Sequence, residues 1–506
     1  MNVCMNVCMC NMHHINTRML RHNNFKMHST VQQDGEKRRM SSRTQKSNFP
    51  NVGFARRFGG RRTSLVSGDV AFTTKPWTGA HMSFREVTLM GHPYARGKTY
   101  GQRVPDLINH SIATYARLFA YRRGMDWVAC QVAALAFQPV LEAEASDLLA
   151  EMRGIADGSG KKLGEIMVLN VRTELLAGKA PGCVHPQWQE ALFANAAANV
   201  PAHPDDGGDL LGDAGGFASA SPADFGECTS AAADKNATTM GATILAQTWD
   251  WQGDQRAACV VLRIYSSAGI PNILTLTEAG MVAKHGINSE GLAVGLNMMH
   301  SKTDGQGVGM PVHVLLRKML QAKTFAEAKA VPRAHPAVAS SCIVLASAQG
   351  ELTALEITPA GVAEVLAKDG RLVHTNHALD AGAAIDECDA APSNTSHDRH
   401  RRASQMLQSG SGESNKLSLD DFKRILSDHK DEPRCICRHP DKNIAAVDRS
   451  ETVCGVILDL GTLGMHIAPG LPCSCEYETT LLDFEVPANA RFGAVFLDSC
   501  SVCIPM

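Results

Sequence analysis

The chain has 506 residues, 44% hydrophobic and 20% charged, the proportions of a soluble globular protein with room for two to four domains. Its formal charge of -2 supplies no overall basic field for nucleic acid and no acidic field for cationic partners. The most apolar helical stretch, 125–141, is shorter than the roughly 20 residues a bilayer requires and contains Pro139, which argues against a membrane span; 16 cysteines are too dilute to replace a core, so reduced thiols are expected.

The elements follow in chain order. Residues 1–80 are basic, rich in Ser and Asn and nearly free of acidic residues, as in an organelle transit peptide. An intracellular protein is expected, mitochondrial or in another organelle if this leader is read, otherwise cytoplasmic. The opening MNVCMNVCMC, with His13 and His14, has soft-metal donors but reads as a disordered leader. From Phe84, FREVTLMG alternates as a strand, GHPYARGKTYGQ gives a turn and helix start, and helical spacing runs on to residue 178. This helical lobe and a flexible loop (179–225, Gly/Ala/Asp/Pro-rich) make up 84–227. Strand candidates then come in quick succession through 228–480, interrupted by helical segments at MPVHVLLRKMLQAKTFAEAKAVP and LSLDDFKRILSDHK; 481–506 reads as a tail. Hairpins with helices between them favour an α+β arrangement over alternating βαβ units. The chain has no phosphate-binding G-x-x-x-x-G-K-[ST] loop, no G-x-S-x-G elbow and no H-E-x-x-H helix.

At the border between loop and strands stands GECTS, residues 226–230. A free thiol has a pKa near ~8.5 and needs a base to become a nucleophile. A cysteine's own α-amine, with a reference pKa of about 7.7–8.0, is an economical base. Cys228 gains one only if the Glu227–Cys228 bond is cut. Self-cleavage, with the Cys228 sulfur attacking the Glu227 carbonyl, would give the slack upstream loop a purpose. The competing reading is an incidental buried cysteine.

GECTS followed by AQTWDW resembles the N-terminal-nucleophile cysteine hydrolases, specifically the acyl-coenzyme A:6-aminopenicillanic acid acyltransferase-like family, peptidase family C45. EVTLMGHPYARGKTYG, EMRGIADGSGKKLGEIMVLNVRTEL, KHGINSEGLAVGLNMMH, LVHTNHAL and ILSDHKDEPRCICRHPD resemble the same family in the same order. The resemblance implies a four-layer αββα sandwich and a zymogen whose two autoproteolysis fragments stay associated. It implies an amidase or N-acyltransferase acting on a small acyl amide or acyl thioester, with no cofactor. It assigns Cys228 as nucleophile, Asp250 as the carboxylate near the new amine, and Asn376 and Asn297 as oxyanion donors. Thr248, Trp249 and Arg263 are the candidate substrate contacts, Arg263 as an anchor for a substrate carboxylate. Two departures stand out: Thr248 where family members commonly have Asn, and Glu227 where some have Gly.

Cys435, Cys437 and His439, with Cys473 and Cys475, invite a zinc reading, but C-x-C pairs lack the usual knuckle spacing. They are expected to be ordinary thiols, with no metal, and His429 a helix-end residue. His92, His285, His300 and His377 are expected to be structural or pocket-lining, because a nucleophile carrying its own amine needs no further base. Two other functions compete: an uncleaved relative acting as a binding or scaffold protein, and a metal- or nucleic-acid-binding protein run by the leader.

Overall fold

The computed structural model describes residues 84–177, 228–266, 269–384, 395–432 and 435–483. All belong to the second of two units, Met1–Trp77 and Thr78–Met506. The leader, the 179–225 loop, Glu227 and most of the tail lie outside the described residues.

The described chain enters by strand β1 (Arg85–Leu89) and continues through α1 (Pro93–Arg103), α2 (Pro105–Arg123), α3 (Trp127–Leu135), α4 (Gln138–Glu144), α5 (Ser146–Ser159), α6 (Leu163–Asn170) and α7 (Arg172–Ala177). The apolar run 125–141 is not one helix: it breaks after Leu135, and Pro139 sits in the first turn of α4, where its missing N–H costs nothing. Glycine spacing lets α1 and α5 touch backbone to backbone. A Cβ on Gly97 would meet the Glu151 carbonyl oxygen at 1.9 Å, and one on Gly154 would meet the Tyr94 carbonyl oxygen at 2.1 Å. At that crossing Glu151, fully buried, binds Arg96 and Arg317 at 2.6 and 3.1 Å. Losing either arginine would leave a buried charge underpaired, at a cost of about 3–5 kcal/mol.

The second half begins with β2 (Thr229–Ala233), β3 (Ile244–Gln252), β4 (Cys259–Ile264), β5 (Ile273–Glu278), β6 (His285–Asn288) and β7 (Leu292–Met298). Helices α8 (Val312–Leu320) and α9 (Phe325–Ala334) precede β8 (Ser341–Ser347), β9 (Leu352–Thr358), β10 (Gly361–Leu366) and β11 (Arg371–His374). The short α10 (Ala381–Ala384), α11 (Ser396–Leu407) and α12 (Leu419–Leu426) lead to β12 (Ser450–Asp459), β13 (Gly464–Ala468) and β14 (Glu478–Leu481).

These strands form two sheets, β1-β4-β5-β6-β7-β8-β9-β10 and β11-β2-β3-β12-β13-β14. Only β1 with β4 is a parallel pair among the described strands. The sheets face each other where β2 and β3 meet β7, and β11 meets β9. Helices α8 and α9 cover the outer face of the larger sheet, α11 and α12 that of the smaller. This is the αββα sandwich that the resemblance implies.

Period two divides the small sheet's side chains between two cores. Cys228, Ala232, Leu245, Trp249 and Trp251 face the space between the sheets, while Ala231, Ala233, Ile244 and Ala246 face α11 and α12. The Gln247 side-chain amide joins the sheets by pairing with both backbone groups of Leu296.

Candidate active site

Cys228 is the first described residue after the loop and is 3% exposed. Strand β2 lies between β3 and β11, with Thr229 opposite Thr248 and Ser230 opposite both Gln247 and His374. The β11 register, carried two residues past His374, brings Asn376 beside Cys228. The Cys228 backbone N–H donates to Asn376 Oδ1 at 2.9 Å, and the Asn376 Nδ2 group donates to the Met298 carbonyl at 2.9 Å.

Arg399 completes this corner from α11, fully buried. Its Nη1 donates to the Cys228 carbonyl oxygen at 2.7 Å and to Thr229 Oγ1 at 3.0 Å; its Nη2 donates to Asn376 Oδ1 at 2.8 Å. Its Nε donates to Thr395 Oγ1 at 2.8 Å. One guanidinium therefore holds the nucleophile candidate's main chain and the asparagine beside it.

Asp250 is fully buried and lines the same cavity as Cys228. Its Oδ1 accepts from Thr452 Oγ1 at 2.6 Å, while Oδ2 has no hydrogen-bond partner. Burial raises this carboxyl to about 7 against the pull of Arg399, Thr452 and Thr248. Burial likewise raises the Cys228 thiol to about 11, helped by the Asp250 charge, while Lys284 and Arg399 pull it down. The uncut site therefore holds a protonated sulfur at neutral pH.

The cavity itself is small, about 10 Å³, and is lined by Arg172, Trp249, Trp251, Lys284, Leu296 and Met298 as well as Cys228 and Asp250. Lys284 places its ammonium 3.1 Å from the centre of the Trp249 ring, a cation–π contact. Behind it, Glu278 binds Lys284 at 3.1 Å and Arg172 at 3.0 Å and accepts from the Tyr115 hydroxyl. Burial works to raise Glu278, but Arg172 and Lys284 outweigh it and hold its carboxyl at about 2. Burial lowers Lys284 to about 8, with Glu278 opposing. Two cations against one carboxylate leave a residual positive charge beside the sulfur.

The remaining sequence-predicted residues divide. Trp249 lines the cavity. Thr248 accepts the Thr229 N–H through Oγ1 at 3.3 Å and acts on the carboxyl of Asp250, two residues on along the strand. Asn297 reaches the nucleophile strand one step away: its Oδ1 accepts from Ser230 Oγ at 2.6 Å and its Nδ2 donates to the His374 carbonyl at 3.3 Å. Arg263 is not brought to the cavity. Its guanidinium binds Glu86 at 2.6 Å and Thr480 Oγ1 at 2.8 Å, tying the edges of the two sheets together. His377 contacts Ser396 Oγ at 2.7 Å and stacks on His397, and His285 is buried in the larger sheet.

Arg399, Lys284, Glu278, Arg172 and Thr452 were not singled out by sequence. The Cys/His reading also changes. Cys435 is buried, with its thiol directed to the Cys437 carbonyl, but Cys437, Cys473, His429 and His439 bring their donor atoms together.

Residues 237–468 match the family model described as acyl-coenzyme A:6-aminopenicillanic acid acyl-transferase. That range includes Asp250, Lys284, Asn297, Asn376 and Arg399, and begins after Cys228. The chain is also similar to the 40 kDa form of acyl-coenzyme A:6-aminopenicillanic-acid-acyltransferase of Emericella nidulans, 30% identical over 202 residues. The match spans 40% of this chain and 54% of that relative, about half its length. Among solved structures, a Caenorhabditis elegans orthologue of N-acylethanolamine-hydrolyzing acid amidase is 19% identical, with a TM-score of 0.33 over 51% of this chain and 100% of its own. Penicillin V acylase from Agrobacterium tumefaciens is 14% identical, with a TM-score of 0.30 over 47% of this chain and 82% of its own.

Proposed function

We propose that the chain, whose residues 237–468 match the acyl-coenzyme A:6-aminopenicillanic acid acyl-transferase family model, is a self-processing cysteine enzyme that moves acyl groups from small amides or thioesters through an acyl-Cys228 intermediate. The observation that carries this reading is the unsatisfied, fully buried Oδ2 of Asp250 on the same cavity as Cys228. A buried acceptor without a donor is costly, and a newly freed α-amine would supply one.

In processing, the Cys228 sulfur attacks the carbonyl carbon of residue 227. The C–N bond breaks, the nitrogen leaves as the α-amine of Cys228, and water then hydrolyses the thioester to a carboxylate and the free thiol. The ammonium form carries three N–H donors where the peptide carried one. Asn376 Oδ1 already receives the first, and Asp250 Oδ2, which has no other partner, is the acceptor this reading gives another. The neutral amine then takes the thiol proton as the sulfur attacks a substrate carbonyl, and returns it to the leaving group. The positive charge of Lys284 and Arg172 opposes the charge that develops on the substrate oxygen. Trp249, Trp251, Leu296 and Met298 suit an apolar acyl group. Water as acceptor makes the reaction hydrolysis, and an amine makes it transfer.

Denaturing electrophoresis with intact mass tests the reading. Fragments 1–227 and 228–506 are expected from the parent chain and a single chain from Cys228→Ala. A fully active, unbroken preparation overturns it and favours chemistry without self-cleavage. A panel of N-acyl amino acids, β-lactams and acyl thioesters then ranks the acyl donors.

A further inference from the structure

We propose that His429, Cys437, His439 and Cys473 form a structural site for one zinc ion. The four residues come from three segments: His429 follows α12, Cys437 and His439 flank Arg438 ahead of β12, and Cys473 lies between β13 and β14. Their donor atoms all lie within 4.8 Å of one another. His429 Nε2 is 3.0 Å from His439 Nε2, which is 3.4 Å from Cys473 Sγ. A tetrahedral zinc ion, with bonds of about 2.0–2.1 Å to nitrogen and 2.3 Å to sulfur, sets its ligands roughly 3.3–3.8 Å apart. The cluster's separations of 3.0 and 3.4 Å and its outer bound of 4.8 Å bracket that range, so shifts of about 1 Å or less bring the four donors onto a tetrahedron.

Donor chemistry selects the ion. Two sulfurs and two imidazoles favour zinc over calcium or magnesium, which take oxygen ligands. Binding displaces a proton from each thiol, so two thiolates neutralise the divalent charge. Four protein ligands leave no open position, which makes the site structural. The C-x-C spacing argument failed because the set takes one cysteine from each pair and completes itself with histidines.

The surroundings hold the ligands in place without the ion. The Cys437 N–H donates to the Asp428 carbonyl at 3.0 Å, and Ser427 Oγ donates to the Pro472 carbonyl at 3.0 Å, so the three segments bearing the four ligands are tied to one another. Arg402 forks onto both carboxylate oxygens of Asp428, Nε to Oδ1 at 3.0 Å and Nη2 to Oδ2 at 2.7 Å. Arg438, between two ligands, donates its N–H to Thr452 Oγ1 at 2.8 Å and accepts the Thr452 N–H at 2.9 Å. Thr452 in turn donates to Asp250. The ion therefore anchors the strip that positions Asp250; this consequence rests on the catalytic reading above, whereas the metal site does not.

The test is zinc stoichiometry by mass spectrometry on the full chain and on its Cys473→Ser and His429→Asn variants, each also in the Cys228→Ala background. One zinc more per parent chain than per variant is expected, and taking that difference cancels metal held elsewhere. Cobalt substitution of the parent should give visible tetrahedral bands and thiolate charge-transfer absorption, both lost in Cys473→Ser. Cys473 is exposed, so this variant spares the core. Equal zinc in parent and variants, or a mapped disulfide between Cys437 and Cys473, overturns the proposal. A parent chain that holds the extra zinc but does not cleave itself would count against the acyl chemistry and support the site.

Discussion

Asn376 and Arg399 meet at a single atom: the Asn376 Oδ1 that receives the Cys228 N–H at 2.9 Å also receives Arg399 Nη2 at 2.8 Å. The asparagine is thereby fixed from behind by a buried cation, and its oxygen is directed at the nitrogen that self-cleavage would free.

That shared atom makes Arg399→Lys a sharper test than removal of the charge. Lysine keeps the charge but cannot hold Cys228, Thr229 and Asn376 from one planar fork. Hydrogen bonds to charged groups are worth about 1.5–3 kcal/mol each, so self-cleavage is expected to slow by about 10- to 100-fold. Time courses on denaturing gels measure it; a wild-type rate would remove Arg399 from the site.

Lys284→Met should raise the pKa of the Cys228 thiol, because the ammonium lowers it in the folded chain. Glu278 keeps Arg172 as its neutralising partner. The rate of alkylation by iodoacetamide, followed against pH in the processed protein, should shift to more alkaline pH. An unmoved profile would mean that Lys284 only packs against Trp249.

Asp250 gives a stability signature, best read in the uncleavable Cys228→Ala background. Its folded pKa is raised from 3.8 to about 7 by burial. The folded state therefore binds the extra proton across that window, and stability falls as pH rises through it. Asp250→Asn removes the titration. Its Tm advantage over the parent should be near zero below about pH 4, grow up to about pH 7 and then level off. A pH-independent difference would sink the assignment.

Ser230 and Asn297 are predicted to act as a unit in holding the nucleophile strand. Each single alanine variant should destabilise by about 1–3 kcal/mol through the buried polar atom left behind. The double variant should cost clearly less than the sum, by about 0.5–3 kcal/mol of coupling in denaturant titrations. Additive costs would return Asn297 to a direct role at the cavity.

Much of the fold could be read from sequence because its signals are local. The alternation in FREVTLMG and the long apolar strands from β4 to β9 report burial directly, since pleat and helix impose fixed periods. The glycines of ARGKTYG and MRGIADGSG sit where α1 and α5 touch, although spacing alone did not reveal their partner. Helix α11 went unrecognised: SHDRHRRASQML has few apolar residues, and its fully buried positions include Ser396 and Arg399. A helix that turns an arginine inward gives no hydrophobic period.

What the sequence determined by itself was the inventory and its order: a cysteine at the end of a patternless run, a Trp-Asp pair on the following strand, and asparagines at the ends of two later strands. Tertiary structure decided which of these share an environment. It removed Arg263 to a sheet edge, set Asn297 one contact back, and brought in Arg399, Lys284 and Thr452. It also gathered two histidines and two cysteines from three segments. The physical reason is that charge and coordination act through space in a medium of low polarisability, over a few ångströms that chain spacing does not measure.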